Sequence, residues 1–224
     1  MPIDLLMIKK TDEALQQFDA FMRSIPTPTE EKAGRFYYIF TALSTVAVNN
    51  YVSLRKAVDR DDQMMLAWSC RNLLELAIFT KYALMSETNA DEFAGARLVD
   101  GVQIGKRLKE LELHLNPHLA TSAFDVVINR FTTQMLAEGI TQTKFLNTGQ
   151  LAGAVGMKED YETMNQVCSK FVHPTAWSIL TEDIGSERFP AADELFYTCG
   201  AQYFATVMAE IMPHIRQWGL RHKP

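Results

Sequence analysis

Residues 61–86 read DDQMMLAWSCRNLLELAIFTKYALMS. The run is much longer than a strand, holds no Gly or Pro, and is rich in helix formers. Leu66, Cys70, Leu73, Leu74 and Ala77 recur at steps of three and four. Met64, Trp68, Ile78, Phe79 and Tyr82 fill the other sides. A helix with hardly any polar face is normally central, so the pattern predicts a core helix over about 61–86.

Working toward the N-terminus, Asp59 to Asp62 form a tight acidic corner. Before it runs a long helical stripe of Phe36, Phe40, Leu43, Ala47, Asn50, Leu54 and Val58. Thr27 as N-cap, Pro28 at the first helical position and Glu30 three residues after Thr27 form a capping box, which predicts a helix over 28–58. A shorter helix over 11–24 carries Leu15, Phe18, Phe21 and Met22 and ends at Ile25-Pro26.

Toward the C-terminus, Asn89 with Glu92 predicts the cap of a polar, peripheral helix that stops at Asn116-Pro117. Ser122 opens another, ending at Glu138-Gly139. Residues 139–149 read as a loop and 149–155 as a short helix stopped by Gly156. A helix from 158 ends at His173, because Pro174 disfavours helical geometry at the residue before it. After a loop at 181–189, a last helix covers about 190–218, with Pro213 expected to kink or shorten it. Glu210 and His214 read as its polar outer face. With no alternating strand pattern and no repeat, the expected fold is all-α. It is a single-domain bundle over 1–224 of about seven to eight helices, built on the pair 28–58 and 61–86, with 11–24 and 190–218 packed on it.

Composition agrees. Of 224 residues 47% are hydrophobic, which suits a sizeable core, while Gly (11) and Pro (8) are too few for a loop-rich β protein. A net charge of −5 disfavours double-stranded DNA as a partner and leaves RNA open through a local basic pocket. The stretch Phe36–Leu54 carries no charge, but Asn49, Asn50 and several hydroxyls make a buried soluble helix the better reading than a membrane span. Cys70, Cys168 and Cys199 sit apart in apolar stretches as buried free thiols. Together with an N-terminus lacking a basic head and apolar run, they imply a cytoplasmic protein.

Two polar features carry the candidate chemistry. Arg71 and Glu75, four apart on the central helix, share a face with Met64, Trp68, Ile78 and Tyr82. A charge buried alone costs several kcal/mol, so each needs the other. The pair is either a brace between helices, the plainer reading, or a pocket in which Arg71 grips an anion and Glu75 orients it or handles protons. The second feature is Cys168-Ser169-Lys170-Phe171-Val172-His173-Pro174. His173 at a helix C-terminus meets the negative end of the dipole, with Ser169 one turn earlier. It either locks the turn or serves as a general acid/base beside Arg71. Glu110, His114 and His118 have metal-like spacing, but Pro117 interrupts it, so no metal is expected. No phosphate-binding loop, dinucleotide fingerprint or nucleophile elbow occurs, and no cofactor is implied.

On Arg71 and Glu75, and on Gly156, Met157, Tyr161, Ser169, His173 and Pro174, the chain resembles an uncharacterised family of all-helical, mostly bacterial proteins of unknown function. The resemblance spans roughly 35–180. More distantly it is similar to HEPN domains, helical bundles of RNA-cleaving toxins and defence proteins that carry Arg, a polar residue and His on one helix. Here Arg71-Asn72 matches the start, and His173 would stand in for the histidine from another helix.

The expected function is a small anionic or nucleotide-like ligand held between helices. Arg71, Glu75 and His173 would be the reactive groups, and Asn72, Tyr82, Tyr161, Ser169 and Lys170 further ligand contacts. The alternatives are a metal-independent ribonuclease or phosphodiesterase, with His173 as acid/base and Arg71 stabilising charge, and a structural dimerisation module in which Arg71–Glu75 is only a brace. A homodimer is the expected assembly.

Overall fold

A computed structural model describes residues 5–24, 31–118, 121–141, 146–173 and 190–221. These residues hold eight helices and no strand: α1 (Leu5–Arg23), α2 (Glu31–Asp59), α3 (Gln63–Met85), α4 (Glu87–Leu115), α5 (Phe124–Ala137), α6 (Thr148–Ala154), α7 (Lys158–Val172) and α8 (Pro190–Arg221). The protein is all-α. No described helix is long and apolar enough to cross a membrane. The expected stop at Ile25-Pro26, the cap at Thr27–Glu30, Pro174 and the 181–189 loop lie outside the described residues.

The chain divides into two compact units, one of Met1–Leu84 with Thr148–Pro224 and one of Met85–Asn147. The first is built on α3, which buries ten residues, among them Leu66, Cys70, Leu73, Leu74 and Ile78. At roughly 1.5–3 kcal/mol for each large side chain removed from water, Leu66, Leu73, Leu74 and Ile78 make α3 a substantial source of hydrophobic stabilisation in this unit. Against it stand Tyr51 and Leu54 of α2 and Phe196, Tyr197, Phe204, Val207 and Ile211 of α8, all fully buried or nearly so. The Tyr51 and Phe204 rings stack at 4.5 Å, and Phe171 of α7 meets Phe196 edge-on at 4.9 Å. Gly200 lets α8 come close: a Cβ there would lie 2.8 Å from Leu54 Cδ2 and 3.4 Å from Cys70 Cα.

Several local expectations need correction. On α2, Tyr51 rather than Asn50 faces the core, because the buried line runs Phe40, Leu43, Ala47, Tyr51, Leu54. On α3, Met64 and Trp68 are exposed, so its first turns do have an open side. The α2–α3 corner is made by Asp61 in the left-handed conformation (φ 61°), followed by Asp62, whose carboxylate accepts the Met65 N–H at 2.9 Å. α1 begins at Leu5, earlier than the Leu15–Met22 pattern implies. Pro213 does not end α8, which continues to Arg221. The missing N–H removes one backbone bond, a loss that a long, well-packed helix tolerates. His214 is not on an open polar face: its ring lies 5.5 Å from that of Phe40.

The second unit centres on the antiparallel pair α4 and α5. Ser86, not Asn89, caps α4, its hydroxyl accepting the Asn89 N–H at 3.1 Å. Ser122 precedes α5 by two residues. Its hydroxyl donates to the Glu112 carboxylate and accepts the Phe124 N–H. From there the pair zips through Lys109–Asp125 at 2.6 Å, Gly105 against Ile128, Gly101 against Phe131, and Arg97–Glu138 at 3.2 Å. Glycines on α4 face bulky side chains on α5, which lets the two axes approach closely. No residue of α5 is fully buried.

Candidate functional site

Arg71 sits midway along α3, where the core-facing stripe of Cys70 and Leu73–Leu74 turns its side chain to the margin of the helix. α7 runs past this margin. Its apolar side, Met164 and Cys168, is buried, so Ser169 and His173 flank the contact. Arg71 Nε donates to Glu75 Oε1 at 3.3 Å, and Nη1 donates to Ser169 Oγ at 3.4 Å. The same Nη1 lies 3.4 Å from His173 Nε2. In this contact the guanidinium nitrogen can only donate. Ser169 spends its own proton on the Asn165 carbonyl at 2.5 Å, which leaves its lone pairs toward Arg71. His173 closes α7 as C-cap in an extended conformation, its N–H bonded to Ser169 O.

Groups 98 and 102 positions apart in the chain therefore converge on one cation. The Arg71 and Glu75 side chains keep 27% and 28% of their surface, so the cluster is open to solvent rather than sealed. One turn before Ser169, Asn165 Oδ1 is buried with no hydrogen-bond partner. A buried acceptor without a donor is costly unless something supplies one.

The other expected contacts spread out. Asn72 turns to α2 and donates to Asn50 Oδ1 at 3.1 Å. Tyr82 is half-buried seven residues beyond Glu75, about 10 Å along the axis. Tyr161 is half-buried eight residues before Ser169, about 12 Å away. Lys170 is exposed on the last turn of α7.

Sequence reasoning missed two clusters. Beneath Arg71 the three cysteines gather from α3, α7 and α8. Cys70 and Cys168 are fully buried and hydrogen-bonded to each other, while Cys199 is only half-buried. The bond to Cys168, together with burial, pushes the Cys70 thiol well up. Cys168, which receives that bond and lies beside the Arg71 guanidinium, is pulled down. Nothing in spacings of this length signals the meeting. The second cluster joins α1, α2 and α8. Tyr51 OH bonds Asp12 Oδ1 and Tyr197 OH, each at 3.2 Å, and Arg55 Nε reaches Asp12 Oδ2 at 3.4 Å. Burial, then the bond to Tyr197, pushes the Tyr51 hydroxyl far up, so it acts only as a neutral structural link.

Searches of protein-family models, curated proteins and solved structures found no match to this chain.

Proposed function

We propose that Arg71, with Ser169 and His173, holds the anionic group of a small, nucleotide-like ligand at the α3–α7 contact. The observation that carries this reading is the slackness of the guanidinium. Its one carboxylate partner, Glu75, stands at 3.3 Å, whereas charge-assisted N–H···O⁻ bonds settle at about 2.7–2.9 Å, and Ser169 and His173 stand farther still, at 3.4 Å. A phosphate accepting two short parallel bonds from Arg71 gains more than the contacts it loosens. Exposed Lys170 adds positive charge to the approach. A cytoplasmic setting and pairing of two copies belong to the same reading.

The test is calorimetric titration with AMP and with pyrophosphate. Saturable binding is expected in the wild type. Arg71→Gln should lose it while changing stability by no more than about 1 kcal/mol, since a partly exposed pair contributes little. Equal affinity in Arg71→Gln contradicts the assignment.

A second reading, an RNA phosphodiesterase, rests on His173 Nε2 lying 3.4 Å from the cation that would stabilise a pentavalent transition state. It requires RNA cleavage that His173→Ala abolishes without a change in melting temperature. No cleavage by the wild type leaves the binding role.

A further inference from the structure

A cavity lies between α1 and α8, lined by none of the residues of the Arg71 cluster. It measures about 490 Å³, within the roughly 300–1,000 Å³ of ordinary ligand sites. Its walls are apolar: Phe18 on α1, and Phe204, Met208 and Met212 on α8. Methionine side chains adapt to an occupant's outline at little cost.

The polar lining is not spread evenly. Asp12 of α1 is tied to Tyr51, whose hydroxyl meets Tyr197 and whose ring stacks on Phe204. The Lys10–Thr11 turn of α1 is therefore level with Tyr197–Phe204 of α8, and there Lys10, Thr11 and Gln202 line one end. Phe18, eight residues on, lies about 12 Å along the helix beside the methionine end, where exposed Gln17 forms the rim. Asp12, the carboxylate nearest to Lys10 in the chain, is already held by Tyr51 and Arg55.

We propose that this cavity binds an unbranched medium-chain carboxylate, its head at Lys10 and Gln202 and its tail between Phe18, Phe204 and the two methionines. A cation at one end selects the carboxylate. Apolar walls without hydrogen-bonding groups along the middle reject a polyhydroxylated body. The space between two helices running side by side suits a linear chain. This site is independent of the Arg71 reading.

The experiment is calorimetric titration of the full chain with hexanoate, octanoate and decanoate below their micellar concentrations. Affinity should rise along the series by up to about fourfold per added methylene, the factor for burying one CH₂. Ala205 is an exposed residue on the cavity wall, so Ala205→Trp fills the space without entering the core. It should abolish decanoate binding with the helical circular dichroism intact. Lys10→Glu should weaken decanoate by about two- to fivefold, the size of an exposed ion pair, and leave decanol unchanged. Affinity that stays flat from hexanoate to decanoate overturns the proposal, as does unaltered decanoate binding in folded Ala205→Trp. If Ala205→Trp fails to fold, the chain-length series on the wild type decides alone.

Discussion

Glu75 competes with any anion for the Arg71 guanidinium, 3.3 Å away. Removing its charge weakens one brace and strengthens the local positive field. Glu75→Gln is therefore expected to tighten AMP binding several-fold in calorimetry, at a stability cost below about 1 kcal/mol. A purely structural role gives the opposite pattern: a larger loss in melting temperature and no change in binding. In the second unit, Asp100 illustrates a single residue held at a disadvantage. Its Oδ1 is buried with no partner, and burial raises its pKa above the ordinary aspartate value. A raised folded-state value means stability is fullest in acid, below about pH 3.9, and is lost as pH rises and the carboxylate ionises. Asp100→Asn should thus raise the melting temperature at pH 7, and the gain should shrink as the pH approaches about 3.5, below the unfolded aspartate value. A gain that grows in acid would contradict this sign.

At the scale of elements, close approach of helices rests on glycine where a side chain would collide. In Gly200→Ala the new methyl must push Leu54 aside at 2.8 Å and presses on the Cys70 backbone. The overpacking, about 1–3 kcal/mol, exceeds the roughly 1 kcal/mol gained from helix propensity, so the melting temperature should fall by a few degrees. A Cβ added at Gly153 on α6 would meet nothing within 4 Å, and Gly153→Ala should be neutral or stabilising. A stabilised Gly200→Ala would show the α2–α8 contact to be looser than described. The same elements tell how far the sequence could be read. Periodicity found α3 as the core helix and His173 at the end of α7, because a local pattern and a following proline are enough for both. It misjudged Asn50 against Tyr51, since two adjacent residues differ by only about 100° on the wheel and burial chose the aromatic one. Pro213 does not cut α8 short, because a long helix tolerates the loss of one backbone bond. The sequence reading set Asn89 as a cap where Ser86, three residues earlier, was the better acceptor.

At the scale of the whole molecule, what the sequence could not give is distance. Arg71 with Ser169 and His173, the three cysteines, and Asp12 with Tyr51 and Tyr197 are all long-range meetings that leave no mark in local spacing. The two units also differ in depth of burial. α3 carries ten buried residues and α5 none, so exposed α5 should exchange its amide hydrogens sooner than α3. That contrast makes hydrogen–deuterium exchange over the full chain, with and without saturating AMP, the most direct measurement of ligand binding at Arg71. Protection is expected in peptides covering 69–76 and 165–173, with α4 and α5 unchanged. AMP binding that leaves both of those segments unprotected, or that protects chiefly residues 87–137, would contradict it.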